Sequence, residues 1–524
     1  ANLIIFNGAC AIYISQRRSF PPMFKRLKEL TDREADIAHL RHSIAYNDKK
    51  KLIRLVEAHY GKGNWINPGV DAGVLPHYGD LQGSIRQAVE YEFEHGDARC
   101  IACTSTLAEG VNLPIKYLIV TGTSTGSGTP RTRDFQNLIG RTARSGKYSE
   151  GSILVADNTN GSGKKQLYAT LMRPSNTEQC ESALVNLLAD AHDNGRNPSK
   201  RISGESIVNM ILSHLTDPQL EHKLAKSFQK FLGCEEKRAL LLASRRMRAL
   251  TAIESYLSGA IVDSDNEADI VELCLSTYAY VSSDGTKRSQ LLKLFHAVHE
   301  GLRTIPQVRA QLFHKMQLGA RNSTMLINWV ESSEGMLFLK GGCTDILALV
   351  RQFRRQSPNV ATAISDAGLA AVIEHWIDGG DLMQIATVLN DRGASVAKSQ
   401  FTVADIEKTV SRDIRFSFSH FVSCIIDAVD SNASIANQQH LEVLTALQRK
   451  VKYGVPSLRA AAICEEVIDD RMIARDILSI IGATGSSDIS VIKYEAIGNQ
   501  AKVEQLASEL PTYCSKRILD WIGI

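Results

Sequence analysis

At 524 residues the chain is too long for one ordinary domain, and roughly two to four packed units are expected. Its 44% hydrophobic and 22% charged content is that of a soluble globular protein and excludes wholesale disorder. With 60 basic against 57 acidic residues the net charge is only +3, which excludes a uniformly cationic nucleic-acid coat and leaves room for a local basic groove.

The chain opens on Ala1-Asn2-Leu3-Ile4-Ile5-Phe6-Asn7, an apolar run with no basic region and no small-residue cleavage site. It therefore reads as a strand and not as a signal peptide. It has no initiator Met and begins inside that run, so a piece of a longer protein is expected. Strand patterns follow at 3–6, 73–77, 99–104, 117–121 and 152–156, with amphipathic helix patterns at 13–30, 48–60, 84–95, 133–143 and 165–172. This alternation predicts an α/β domain with a parallel sheet over residues 1–175. Ser84, ahead of Ile85, Ala88, Val89 and Phe93, reads as the cap of a helix whose apolar residues share one face.

After Pro174 long 3.6-residue periods take over, for example at 206–215, 220–232, 237–257 and 346–356. Polar, glycine-bearing breaks fall at 193–204, 282–287, 332–335 and 482–487, and no fixed-period repeat is visible. The predicted fold class is thus an α/β parallel-sheet domain followed by a large all-α region, divided into helical parts 176–340 and 341–524. No run reaches the roughly 18 consecutive apolar residues of a membrane span, so no membrane partner is expected. The ten cysteines run from Cys10 to Cys514 and most lie in apolar stretches, as in a reduced, cytoplasmic protein. Cys100-Ile101-Ala102-Cys103 lacks a second pair, so it reads as buried strand cysteines and no metal site is expected.

Three segments of the α/β part carry chemistry. The first is Leu75-Pro76-His77-Tyr78-Gly79-Asp80-Leu81, with Arg86 on the helix that follows. The second runs from Thr104-Ser105-Thr106 through Gly110-Val111-Asn112 to Leu113-Pro114. The third is Gln136-Asn137-Leu138-Ile139-Gly140-Arg141-Thr142-Ala143-Arg144-Ser145-Gly146. The first two fall at strand carboxyl ends, where parallel α/β sheets bind ligands. On a helix Asn137, Arg141 and Arg144 would share a face beside Gly140, making a cationic surface for phosphate oxygens. A guanidinium offered to a γ-phosphate stabilises the charge that develops in phosphoryl transfer. Hydroxyls and backbone amides of the second segment could bind nucleic-acid phosphate without reading a base. Taken singly, a solvated basic helix face, a strand-to-helix turn and an ordinary loop explain the three equally well. Their order and spacing make the combination specific.

Together they resemble the superfamily-2 helicases, in the DExH group related to Ski-type helicases. TSTLAEGVNLP is similar to motif V and QNLIGRTARSG to motif VI, of general form Q-x-x-G-R-x-G-R. LPHYGDL resembles the H-x-G block, and LIIFNGACAIYIS the strand and helix of motif IV. The resemblance covers residues 1 to about 160 and implies a second RecA-like motor domain. It implies that Arg144 is an arginine finger and Arg141 a second γ-phosphate contact. Gly110 and Asn112 would face ATP, Thr104 and Thr106 would hold the nucleic-acid backbone, and His77 and Gly79 would lie near the strand. Ala143 stands where many relatives have glycine. The glutamine position falls on Asn137, with Gln136 one place earlier, so both are candidates for coupling to the nucleotide.

A P-loop lysine for the phosphates and an acidic box for Mg²⁺ are not found in the sequence; Asn158-Thr159-Asn160-Gly161-Ser162-Gly163-Lys164-Lys165 lacks the leading glycine and final Ser/Thr and reads as a surface loop. The chain is thus expected to be inactive by itself, with ATP and Mg²⁺ bound mainly by the first RecA-like domain of the same parent protein. In the helical region the resemblance implies a winged-helix unit and a bundle gripping nucleic acid. Arg245-Arg246-Met247-Arg248, Arg449-Lys450-Val451-Lys452-Tyr453 and the stretch around Phe353 are candidate contacts, with solvated helix faces and a core aromatic as the plainer reading. Asp469-Asp470 and Glu465-Glu466 read as solvated helix charges. From Leu447 to Arg471 the chain resembles, more loosely, the helicase subunit of Hachiman-type antiphage defence, which implies DNA as the track (RNA remaining open) and a nuclease effector subunit as partner. The alternative is a non-catalytic scaffold with a degenerate motor domain. The Gly140, Arg141 and Arg144 set argues against it.

Overall fold

The computed structural model describes residues 8–33, 37–105, 113–123, 131–143, 148–156, 162–178, 180, 182–192, 200–215, 217, 219–263, 270–357, 360–396 and 400–524. They form two compact units, one of Ala1–Glu178, Ile346–His420 and Ala446–Ile524, the other of Gln179–Asp345 and Phe421–Thr445.

The first unit is built on a parallel sheet of five strands, β1 (Cys10–Tyr13), β2 (Val74–His77), β3 (Cys100–Cys103), β4 (Tyr117–Val120) and β5 (Ser152–Val155), in the order β2-β3-β1-β4-β5. Sheets of this kind are covered on both faces, and their strands are short apolar runs instead of alternating ones. Every residue of β2 and β3 is accordingly buried, Cys100 and Cys103 included. The expected strands at 73–77, 99–104, 117–121 and 152–156 are present within a residue or so of those bounds, whereas 3–6 lies outside the described residues.

The predicted helix at 13–30 is a different structure. Strand β1 ends at Tyr13, a single 3-10 turn covers Arg17–Ser19, and the helix proper is Phe20–Asp32. Pro21 and Pro22 sit in its first turn, the one place a helix tolerates proline. Helix Gly83–His95 also starts differently: the Gln82 side chain accepts the Ser84 N–H at 2.8 Å, so Gln82 and not Ser84 is the cap.

Helices within Ile346–His420 and Ala446–Ile524 belong to the same unit as the sheet. Asp470, expected on a solvated face, is 0% exposed. One carboxylate oxygen accepts the N–H groups of Met472 (2.8 Å) and Ile473 (2.9 Å), capping helix Arg471–Ile481. The other lies 2.9 Å from His59 Nε2, on helix Tyr46–Tyr60, and accepts the Ser84 hydroxyl. Burial pushes this carboxyl upward, but His59, Ser84 and the backbone donors outweigh it and hold it below the ordinary aspartate range. Asp469 and Glu465 do stay at the surface, paired with Arg415 (2.8 Å) and Arg449 (2.6 Å).

The second unit is mainly helical, with Gly204–Ser213, Leu220–Leu232, Glu236–Asp263, Gly285–Arg303, Gln307–Met316 and Gly319–Glu331. Its one departure from an all-α pattern among the described residues is a two-stranded antiparallel ribbon, Ala191–His192 with Arg201–Ile202. Phe228, Leu250, Ile253, Leu257, Leu291, Leu294 and Phe295 centre its core. Arg246 is buried against that core, donating to the Ala189 carbonyl at 2.8 Å with its guanidinium 5.0 Å from the Phe228 ring centre. Burial pulls it down to about 10. In the first unit Phe353 meets Phe418 edge-on at 5.3 Å, a core aromatic. Among the described residues no helix is long and apolar enough to cross a membrane.

Asp470→Asn keeps the side chain's size but removes the charge that His59 and Ser84 surround. Breaking a buried, hydrogen-bonded charge site costs about 3–5 kcal/mol, so the urea midpoint should fall accordingly, while Glu466→Gln should leave it within about 0.5 kcal/mol. Because the folded carboxyl lies below its unfolded value, its contribution is complete above the ordinary aspartate range. It should be lost only as pH falls through the lowered folded value.

Candidate nucleotide and nucleic-acid interface

Strands β2 and β3 run in register, His77 beside Cys103, so the first and second motif segments leave the sheet side by side at its carboxyl edge. The Thr104 N–H donates to the His77 carbonyl at 3.2 Å and joins the two exits. Thr104 is half-buried; Thr106, Gly110 and Asn112 lie outside the described residues.

His77 is 1% exposed, and its Nε2 lies 2.7 Å from Glu90 Oε1 on the adjoining helix. Gly79 is exposed, and its carbonyl accepts Arg86 Nη1 at 3.3 Å. Between and after them, Tyr78 and Asp80 point into the fold. Asp80 accepts Arg17 at 2.9 Å and takes Arg412 through both oxygens, at 2.8 and 3.2 Å. Buried Glu407 accepts the Tyr78 hydroxyl at 2.9 Å, the Tyr60 hydroxyl and Arg17. Burial pushes the Tyr60 phenol up to about 12, so both tyrosines stay protonated donors. Arg412 lies on a widened π-helical segment, Thr409–Phe418. The loop carrying His77 and Gly79 is therefore held from beneath by carboxyl-terminal helices. No signal in the sequence linked Asp80 to residues more than 300 positions away.

The third segment begins on helix Thr132–Ile139, anchored by buried Phe135 and Leu138. Glu178 accepts the first-turn N–H groups of Thr132 (2.8 Å) and Arg133 (3.0 Å), and these bonds draw the carboxyl down to about 2. The helix ends at Gly140, so the expected shared face of Asn137 and Arg141 does not form. Arg141 and Thr142 lie in a turn closed by bonds to the Leu138 and Ile139 carbonyls at 3.2 and 3.0 Å. Thr142 forms a parallel bridge with Ile115, and the Ala143 N–H donates to the Ile115 carbonyl at 2.7 Å. This pairing brings the end of the second segment and the arginine turn of the third together. Arg141 is half-buried in that turn, and Arg144 lies outside the described residues. Gln136 donates to the Leu171 carbonyl at 2.6 Å, whereas Asn137 is exposed.

Ala143 has φ +64°, the left-handed region. This explains why the resembling motif has glycine there: an L side chain in this region costs about 1–2 kcal/mol. Glycine gives back about 0.5–1 kcal/mol through the greater freedom of the unfolded chain. Ala143→Gly should therefore stabilise the first unit by about 0.5–1 kcal/mol, read as a raised denaturant midpoint, and Ala143→Val should lower it.

The helicase conserved C-terminal domain family matches residues 44–146, which include β2, β3, β4 and the arginine turn. The chain is 31% identical over 135 residues to the Hachiman protein HamB of Bacillus cereus, covering 25% of this chain and 12% of that protein. It is 25% identical over 186 residues to the helicase POLQ-like protein of Homo sapiens, 35% of this chain and 16% of the relative. Over 275 residues it is 27% identical to the ATP-dependent DNA helicase Hel308 of Thermoplasma acidophilum, 51% of this chain and 38% of the relative. The chain thus spans well under half the length of each. A family match that coincides with the motif-bearing sheet, and two relatives that are helicases by name, lead to one conclusion: the chain carries a helicase conserved C-terminal domain over residues 44–146.

Proposed function

We propose that this chain supplies the second motor half of an ATP-driven helicase or translocase acting on DNA, completed by a first motor domain that brings the P-loop and acidic box. The observation that carries this reading is the Ile115–Thr142 bridge, which sets the arginine turn beside the segment descending from β3. A guanidinium works on a transferring phosphoryl group only if its loop is held in place before the charge develops, and this bridge and the Gly140 helix end hold it. Arg144 is the finger and Arg141 its companion. Gly110 and Asn112 face the nucleotide. Exposed Asn137 is the better placed of the two amide candidates, since Gln136 is committed to Leu171. Thr104 and Thr106 bind strand phosphates, and Gly79 meets the strand through its backbone, with buried His77 fixing the loop.

Mg²⁺, held mainly by the first motor domain, would supply charge neutralisation at the phosphates. Among the described residues no cluster of three His, Cys, Asp or Glu side chains could hold an ion, so no step is assigned to the metal here. DNA as the track accords with the relative named as an ATP-dependent DNA helicase. A role in antiphage defence accords with the likeness to the Hachiman protein; a cytoplasmic location and a nuclease subunit as partner belong to the proposal. Alone, without the first domain, the chain should not turn over ATP.

The test is nucleic-acid-stimulated ATP hydrolysis by the protein with both motor domains, wild type against Arg144→Ala. Stimulated turnover should fall by at least about a hundredfold with strand binding retained. Unchanged turnover in the variant sinks the motor reading.

A further inference from the structure

Asp80 holds two guanidinium groups that differ in burial. Arg17, 20% exposed, reaches Oδ2 at 2.9 Å from the inner side and also serves Glu407 and the Ala404 carbonyl. Arg412, 61% exposed, reaches the same carboxylate from the surface, Nε to Oδ1 at 2.8 Å and Nη2 to Oδ2 at 3.2 Å. The inner contact belongs to the core: Arg17 is the cation shared by two buried carboxylates, and removing it strands charge away from water. The outer contact is of another kind. When it opens, Asp80 keeps Arg17 and Arg412 returns to solvent, so little stability depends on it.

Its geometry is nevertheless closely set. Arg412 belongs to the π-helical segment Thr409–Phe418, a form that is rare in proteins and frequent at functional sites. Buried Ile414 and Phe418 seat that segment, and Arg415 ties it to Asp469 at 2.8 Å and to the Lys452 carbonyl at 3.0 Å. Arg412 therefore reaches out from a fixed base. A planar guanidinium bonded to both carboxylate oxygens fixes the orientation of the group as well as its place. Asp80 directly follows Gly79, and on the other side Tyr78 is held through Glu407. Exposed Gly79 thus lies between two tethered neighbours, and residues 407 and 412 set where its backbone stands.

We propose that Arg412 is a positioning residue for strand binding: through Asp80 it holds the loop at Gly79 in the place from which that loop meets the strand, without touching the strand itself. The inference rests on the motor reading above. It adds a control over the sheet-edge loop by a residue 332 positions away from Asp80.

Strand-stimulated ATP hydrolysis by the protein with both motor domains tests it, measured against oligonucleotide concentration. In Arg412→Gln the concentration that gives half-maximal stimulation should rise about tenfold. Turnover at saturating strand should stay within about twofold of wild type, and the melting temperature within about 2 °C. Arg17→Gln should instead lower the melting temperature by at least about 5 °C, which separates support of the core from positioning. Arg412→Lys separates positioning from a direct phosphate contact, because lysine supplies the charge without the two-point grip. The half-stimulating concentration should stay raised in that variant; a return to the wild-type value reveals contact with the strand and overturns the inference. A general loss of turnover with a lowered melting temperature in Arg412→Gln overturns it as well. Equal stimulation curves for wild type and Arg412→Gln remove this inference alone, whereas a wild type without stimulated turnover sinks the motor reading and this inference with it.

Discussion

Two carboxylates removed from water, Asp80 and Glu407, organise the first unit. Neither could be buried unpaired, because desolvating a charge costs several kcal/mol unless donors surround it. Arg17 bridges both, Arg412 grips Asp80 through two bonds, and two tyrosine hydroxyls serve Glu407. The arrangement draws on the loop after β2, on the turn after β1 and on helices near position 410, so none of these can shift without stranding a charge. Asp470 repeats the logic nearby, with donors from its own helix, from His59 and from Ser84. The sheet edge that presents the motif segments is thus braced by polar contacts that are costly to lose, in addition to apolar packing.

Against this braced edge the arginine turn is held by lighter means. It hangs from a helix end at Gly140, one bridge to Ile115 and a left-handed residue at Ala143. The helix feeding it is secured at its far end by Glu178, whose carboxylate closes two amides that would otherwise face solvent.

How much of this was legible in the sequence depended on whether the cause was local. Helix Leu220–Leu232 has the expected bounds because its apolar period is strong and Gly233 takes the left-handed stop at its end. Strands β2 to β5 were visible as apolar runs between turns. β1 was not, since four residues between a glycine and a polar turn look like the start of the next helix. Only pairing with β3 and β4 on either side makes them the centre of the sheet. Pro21-Pro22 would have located the true helix start, and Gly140 the end that removed Arg141 from its expected face. Asp470 and Asp80 were illegible in principle, because burial among distant donors is a tertiary property. The three motif segments could be read as a set because residue type and order are visible in a sequence, while the geometry of their described parts depends on the fold.

The first unit is interrupted in sequence, leaving off at Glu178, returning at Ile346 and closing with Ala446–Ile524. His59 and its partner Asp470 are 411 residues apart. At a synthesis rate of about 5–20 residues per second, roughly 20–80 s separate their emergence from a ribosome. During that interval the sheet exists without its polar brace, with the donors meant for Asp470 and Glu407 still exposed to water. Within these residues the sheet-bearing unit is thus begun before the second unit and completed after it, and the order in which it is made differs from the order in which it becomes stable.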